Sequence, residues 1–193
     1  MATWSRRALL RGISAGIVAT VSRKMYAHPG PGPVDTPLPR IDAWVINQDG
    51  QRRQLQDVLQ GGVTALQTIF TGCSSVCPLQ GALFGAVQEG LPRLRASHPL
   101  RLVSLSIDPM SDTPEVLRAW LRSMGAGASW SAATPIGDVA QIRTVLAGRP
   151  PAPDLDLHAT QVYFFNRGAQ LCWRSQPMPP AAEVLRILAN LAA

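Results

Sequence analysis

The stretch Val63-Thr64-Ala65-Leu66-Gln67-Thr68-Ile69-Phe70-Thr71-Gly72-Cys73-Ser74-Ser75-Val76-Cys77-Pro78 decides how this chain folds. Its first eight residues are mostly apolar and of strand length, and they follow Gly61-Gly62. Such a run reads as a buried central strand. A small-residue loop from Thr71 to Val76 carries the first cysteine. Pro78 fits the first turn of a helix, where a missing N–H costs nothing. That helix is expected to run to about Arg95, with Leu79, Leu83, Val87, Leu91 and Leu94 down one side.

Working outward, Asp42 to Ile46 and Gln51 to Gln54 flank Asp49-Gly50, the signal of an N-terminal β-hairpin. Downstream, Leu100 to Ile107 reads as a second buried strand. Asp112-Thr113-Pro114-Glu115 then starts a helix whose apolar stripe is Val116, Leu117, Trp120, Leu121 and Met124. Gly125 to Thr134 reads as irregular, and Gly137 to Leu146 as helix. A proline-rich loop, Arg149 to Leu157, leads to His158. Strands over Ala159 to Phe165 and Gln170 to Arg174 flank the turn Asn166-Arg167-Gly168, and a last helix runs from Pro180 to Leu191. Strands alternating with helices and closed by a hairpin predict an α/β fold, a mixed sheet flanked by helices. In such sheets reactive groups gather where strand C-termini meet helix N-termini. Cys73 and Cys77 follow one strand and Asp108 another. His158 precedes a strand that begins at the same edge if it runs antiparallel to them.

Three residues between Cys73 and Cys77 let the chain curl through one turn, bringing the sulfurs within disulfide or chelate reach. Pro78 places Cys77 at a helix N-terminus, where free N–H groups and the dipole favour thiolate. Two soft thiolates select Cu(I) or zinc. Structural zinc wants four protein ligands, whereas copper tolerates three, so Cys73, Cys77 and His158 suit copper better. A structural disulfide is the plain alternative, but so short a loop would constrain the unfolded chain little. A lone histidine is more often packed or hydrogen-bonded than a ligand. Cys172, mid-strand between Leu171 and Trp173, reads as a core thiol. Met110 reads as a loop contact rather than a copper ligand, and His98 as a surface loop residue.

The formal charge of +6 suggests nucleic acid or anionic membrane until its distribution is read. Five of the 18 basic residues lie in the first 24 positions, where there is no acid, leaving 13 arginines against 12 acids from His28 onward. The folded part is therefore near neutral, and a nucleic-acid partner is not expected. Ser5-Arg6-Arg7-Ala8-Leu9-Leu10, the weakly apolar run Gly12 to Val21, and Arg23-Lys24 resemble a twin-arginine signal for periplasmic export. About ten apolar residues are too few for a ~30 Å hydrocarbon core, so no transmembrane anchor is expected. Residues 1–27 are read as the signal, with cleavage after Tyr26-Ala27, and 28–39 as a Pro/Gly-rich linker. Residues 40–193 are read as the folded domain. Cleavage there would make His28 the first mature residue, a minor candidate for copper chelation.

Three ordered blocks carry a family resemblance. Phe70 to Pro78 resembles the hallmark of the Sco/SenC family, copper-binding proteins of cytochrome c oxidase assembly. Ser104-Leu105-Ser106-Ile107-Asp108-Pro109 with Asp112-Thr113-Pro114 is similar to its second block, and Asp156-Leu157-His158-Ala159 to its histidine block. The resemblance covers roughly Arg40 to Leu191. It implies a thioredoxin-like fold, a copper site of Cys73, Cys77 and His158, and a role near it for Asp108. Copper enters this expectation as Cu(I), with Cu(II) as a second state. The implied task is delivery of copper to a cytochrome oxidase subunit. Some members instead act as thiol-disulfide reductants, for which Cys73 and Cys77 would be the redox pair. Family members are commonly membrane-anchored, and this chain departs from them in its N-terminal signal.

Overall fold

The computed structural model describes residues 30–35, 38–137, 139–148 and 159–193. Strand β1 (Gly32–Pro33) lies at the rim of the sheet, where proline is tolerated because no ladder N–H is needed on its outer side. Ordered pairing thus reaches back into the proline-rich stretch: Val34 also donates its N–H to the Cys172 carbonyl at 3.0 Å. The expected hairpin is formed by β2 (Trp44–Asn47) and β3 (Arg52–Gln54). Gly50 takes φ +77° in its turn, a conformation that lacks a steric cost only without a Cβ. A short helix α1 (Leu55–Leu59) follows and buries both its leucines.

The opening stretch becomes β4 (Val63–Ile69), buried at all seven positions, and then α2 (Val76–Gly90), extended by a 3₁₀ turn at Leu91–Arg93. The buried face of α2 is Cys77, Gln80, Gly81, Phe84, Val87 and Gly90; of the expected stripe Val87 and Leu91 are buried and Leu83 and Leu94 pack against the core, whereas Leu79 does not. Leu79 is 57% exposed. A spacing of four drifts around a helix of 3.6 residues per turn, and the core follows the face that begins at Cys77. Strand β5 (Leu100–Ser106) and helix α3 (Pro114–Ser123) match expectation, and the Thr113 hydroxyl caps α3 by accepting the Val116 N–H at 3.4 Å.

The stretch read as irregular contains strand β6 (Trp130–Pro135). Its Ser, Ala and Pro residues carry little strand preference, so only its neighbours make it a strand. It runs parallel to β5 on one side and antiparallel to β2 on the other, and the Trp130 Nε1–H bonds the Ser104 hydroxyl at 2.9 Å. Helix α4 (Ala140–Ala147) ends on Gly148 at φ +65°. Strand β7 spans only Tyr163–Phe165, followed by β8 (Leu171–Arg174) and helix α5 (Ala181–Leu191).

The sheet order is β1-β8-β7-β4-β5-β6-β2-β3, with β4, β5 and β6 parallel. Alternate strand residues face opposite layers. Val63, Ala65, Ile69, Leu102, Trp130 and Phe164 pack with α2, α3 and α5. Leu66, Val103, Leu105, Tyr163 and Phe165 pack with α1 and α4. The result is the three-layer α/β arrangement with a mixed sheet that the alternation predicts. Strand β7 runs antiparallel to β4, with Tyr163 opposite Leu66 and Phe165 opposite Thr64. The start of β7 therefore lies at the C-terminal end of β4, the end from which the cysteine loop departs. Among the described residues no helix is long and apolar enough to cross a membrane.

Candidate metal centre

Past β4 the chain turns sharply, the Cys73 N–H bonding the Phe70 carbonyl at 3.1 Å. Ser75 stands at the N-cap of α2, yet no side chain there makes a capping bond to the helix. The Cys73 sulfur takes that place. It lies 3.3 Å from the Ser75 hydroxyl and receives the N–H groups of Ser75 and Cys77. Burial alone would push this thiol up, but these hydrogen bonds, with one from the Cys77 thiol, outweigh it and bring the pKa down to about 6. Cys77 moves the other way, to about 12. Burial is the main cause, and the hydrogen bond and negative charge of Cys73, with the charge of Asp112, add to it.

The sequence suggests Cys77 as the activated sulfur, and the structure assigns that character to Cys73. The free N–H groups of a helix start point back along the chain, toward the residue that precedes the helix. Cys77 lies one residue inside and belongs to the apolar core beneath α2. Both thiols are free and buried.

Asp112 supports this loop from below. Its carboxylate is fully buried and accepts the Thr71 N–H at 3.2 Å, the Thr71 hydroxyl, and the Ser106 hydroxyl at 2.7 Å. It ties the end of β5 to the root of the cysteine loop. Sequence reasoning read Asp112 as part of a helix start and of the second family block, and gave it no role beneath the loop. The available signal was that Thr113 is itself a good N-cap, which leaves Asp112 free for another partner. Asp108 is half-buried; its N–H bonds Ser106 Oγ at 2.9 Å, and its carbonyl accepts the N–H groups of Ser111 at 3.3 Å and Asp112 at 3.0 Å.

His158 lies outside the described residues. Its successor Ala159 is described, and its carbonyl is doubly held. It accepts Thr68 Oγ1–H at 3.3 Å from the end of β4 and Gln80 Nε2–H at 3.2 Å from the first turns of α2. Thr160 is held in turn, its carbonyl accepting the Met178 N–H at 3.0 Å. The segment that follows His158 in sequence is thus anchored at the corner that carries Cys73 and Cys77.

Two adjacent thiols, one ionised near neutrality, can chelate a soft cation or shuttle between dithiol and disulfide. The assignment to a family rests on the match of residues 44–192 to the model described as SCO1/SenC. The chain belongs to the SCO1/SenC family. The SCO1 protein homolog of Bacillus subtilis (strain 168) is 36% identical over 73 residues, a match that spans 37% of this chain and 36% of that protein. The solved SCO1/SenC family lipoprotein from Bacillus anthracis str. Ames is 24% identical, with TM-score 0.66 over 83% of this chain and 98% of that one. The copper-bound ScoI of Arabidopsis thaliana is 18% identical, with TM-score 0.61 over 83% and 96%. These superpositions establish the thioredoxin-like fold.

Other residues weighed on the sequence stand apart in this SCO1/SenC chain. Cys172 is half-buried in β8, and its thiol donates to the Phe164 carbonyl at 3.3 Å. Met110 is 91% exposed. His98 is half-buried near the far end of β5, with a ring nitrogen 3.4 Å from the Arg167 guanidinium. His28 lies outside the described residues. Among the described residues no three His, Cys, Asp or Glu side chains group to hold a metal. The described donors are the two thiols.

Proposed function

We propose that this SCO1/SenC protein binds copper through Cys73, Cys77 and His158 and delivers it to a copper site of a cytochrome oxidase. The observation that carries the reading is the paired thiols at the start of α2, one of them already anionic, beside the anchored carbonyl of Ala159. Cu(I) meets the Cys73 thiolate first. Binding to Cys77 then releases that thiol's proton, so one H⁺ leaves per copper bound. Two thiolates and an imidazole make a soft three-donor set that suits Cu(I) and tolerates Cu(II). Cysteines of the acceptor displace Cys73 and Cys77 in turn. Copper binding in the Arabidopsis relative supports the choice of metal.

The asymmetry of the pair also supports a second reading, a thiol-disulfide reductant. Cys73 thiolate attacks a disulfide of the acceptor and forms a mixed disulfide, and Cys77 then displaces the acceptor's second sulfur. The acceptor gains two electrons, one proton from Cys77 and one from water, while Cys73 and Cys77 become a disulfide. Delivery needs His158; reduction does not.

One experiment separates them. In His158→Ala, copper per chain under anaerobic reducing conditions should fall at least about tenfold in affinity, with thiol exchange retained. Unchanged copper affinity ends the three-donor reading. We further propose a periplasmic location reached by the twin-arginine route, with processing after Ala27. A mature N-terminus at His28 in the periplasmic fraction supports it, and Met1 retained in the cytosol overturns it.

A further inference from the structure

Six large apolar side chains stand exposed among the described residues: Met110, Leu79, Trp44, Ile136, Met178 and Val116, each between 37% and 91%. All six lie at one edge of the sheet, the edge from which the cysteine loop departs. Leu79 and Val116 are in the first turns of α2 and α3, which start there. Met110 and Ile136 follow the C-terminal ends of the parallel strands β5 and β6. The Ile136 N–H bonds the carbonyl of Trp44, the first residue of antiparallel β2, at 2.7 Å, and the Met178 N–H bonds Thr160 just ahead of β7. Apolar residues scattered singly over a surface need no explanation, but their gathering at one edge marks an interaction surface.

Met110 and Ile136 line a cleft of about 370 Å³ together with Pro109, Pro114 and Pro135. Asp112 also lines it, and the same carboxylate accepts the Thr71 N–H at 3.2 Å at the root of the cysteine loop, so the cleft is continuous with the metal centre. Both sulfurs are recessed, Cys73 at 9% and Cys77 at 3% exposure. A bond between Cys73 and a sulfur of another protein therefore brings that protein's surface onto the surrounding rim. The charges on this rim are mixed, Asp108 and Glu115 against Arg52 over the Trp44 ring at 4.5 Å, whereas an anionic bilayer recruits polybasic segments. Apolar anchors amid mixed charge, with Met and an aromatic among them, are the make-up of a protein interface. We infer that this edge is the docking surface for the acceptor, which seats an apolar side chain, carried close to its own cysteine, in the cleft beside Met110 and Ile136. The docking surface rests on the proposed exchange of Cys73 with acceptor cysteines, and serves copper delivery and disulfide reduction alike.

The test uses the reduced full-length protein and short peptides whose central cysteine is a mixed disulfide with thionitrobenzoate, with either leucines or serines at the third and fourth positions on both sides. The Cys73 thiolate attacks the peptide sulfur, a new disulfide forms, and the thionitrobenzoate thiolate that leaves is read by its absorbance. The leucine peptide should react roughly tenfold faster than the serine peptide, the scale of burying an aliphatic side chain less the cost of ordering it. In Met110→Ser/Ile136→Ser that preference should fall to within about twofold, while the N-acetylcysteine mixed disulfide, which has nothing to dock, keeps its rate. Met110→Ser alone, at a site 91% exposed, supplies the same comparison if the double variant does not fold. No leucine preference in the unmodified protein, or one that survives both substitutions, overturns the docking surface while leaving Cys73 competent. A dimer in light scattering that the same substitutions dissociate assigns the edge to a second copy and overturns the acceptor. Flotation with vesicles of phosphatidylcholine and phosphatidylglycerol, lost in the double variant, assigns it to lipid and overturns the acceptor equally. If Cys73 fails to react even with the N-acetylcysteine disulfide, the exchange reading fails and the docking surface falls with it.

Discussion

Two regions of the molecule hold cysteine, and they treat it in opposite ways. In the turn from Gly72 to Pro78, the Cys73 sulfur sits over the open N-terminus of α2 and is drawn down to about 6. In β8, burial pushes the Cys172 thiol up to about 11, and its own proton is given to the Phe164 carbonyl. Cys73 is the more buried of the two, at 9% exposure, whereas Cys172 is only half-buried. Burial raises all three thiols, and the supply of donors decides whether it is outweighed: a helix start has several N–H groups unspent, whereas a paired strand has committed its own to the ladder. Cys77 makes the point at closer range, because four residues from Cys73 it is pushed up to about 12.

The sharpest way to break this contrast is to remove sulfurs one at a time. Cys73→Ser or Cys77→Ser should lower Cu(I) affinity by more than roughly 100-fold, since even an outer partner costs about 10–100-fold. Cys172→Ser should leave affinity within about twofold. Competition titration checks both, and an equal loss for all three cysteines would erase the distinction between the regions.

Next in size is the support beneath the turn. Asp112→Ala leaves the Thr71 N–H and the hydroxyls of Thr71 and Ser106 without their acceptor in a buried place. It should cost about 3 kcal/mol, or on the order of 10 °C in Tm. Chemical denaturation measures it, and a loss under about 0.5 kcal/mol would show that the carboxylate does not hold the loop.

Protonation supplies a third test. The folded pKa of Cys73 is depressed below that of an unfolded thiol, so its contribution to stability is present above pH 9 and is lost as pH falls to about 6. For Cys77 the folded value is raised, so its contribution is present below pH 9 and is lost as pH rises toward about 12. The reduced protein should therefore gain stability from pH 6 to 9 and lose it beyond. Cys73→Ser should flatten the lower arm and, because the Cys73 sulfur helps to raise Cys77, also shrink the upper one. A lower arm unchanged in that variant would assign the rise to another group.

The smallest expected effect sharpens the contrast inside the turn. Ser75→Ala removes one hydrogen bond to the Cys73 sulfur and leaves the backbone donors, so the thiol pKa should move upward without reaching that of a free cysteine. The pH profile of thiolate absorbance near 240 nm reads this shift. No movement would place the whole effect on the backbone of α2.

Much of this arrangement was legible beforehand, for identifiable reasons. The apolar run of β4, the Asp-Gly hairpin and the Thr113-Pro114 start of α3 are local signals, and each appears where it was read. β6 was not legible because the Ser, Ala and Pro residues of Trp-Ser-Ala-Ala-Thr-Pro carry little strand preference and the strand is held by two neighbours. The apolar stripe on α2 held at Leu83, Val87, Leu91 and Leu94 but failed at Leu79, because near its start the core follows Cys77, Gln80 and Phe84. Asp112 and Gln80 were hidden for a shared reason. Their partners, Thr71 and Ala159, stand 41 and 79 positions away, and no short pattern spans such a separation.

By itself the sequence determined the inventory: which donors exist, in what order, and at which ends of which elements, because periodicity and turn chemistry act over a few residues. Tertiary structure alone decided which sulfur is anionic and which carbonyl Gln80 holds. Both depend on the direction of N–H bonds in space, and that direction is set only when helix, loop and distant strand are packed together.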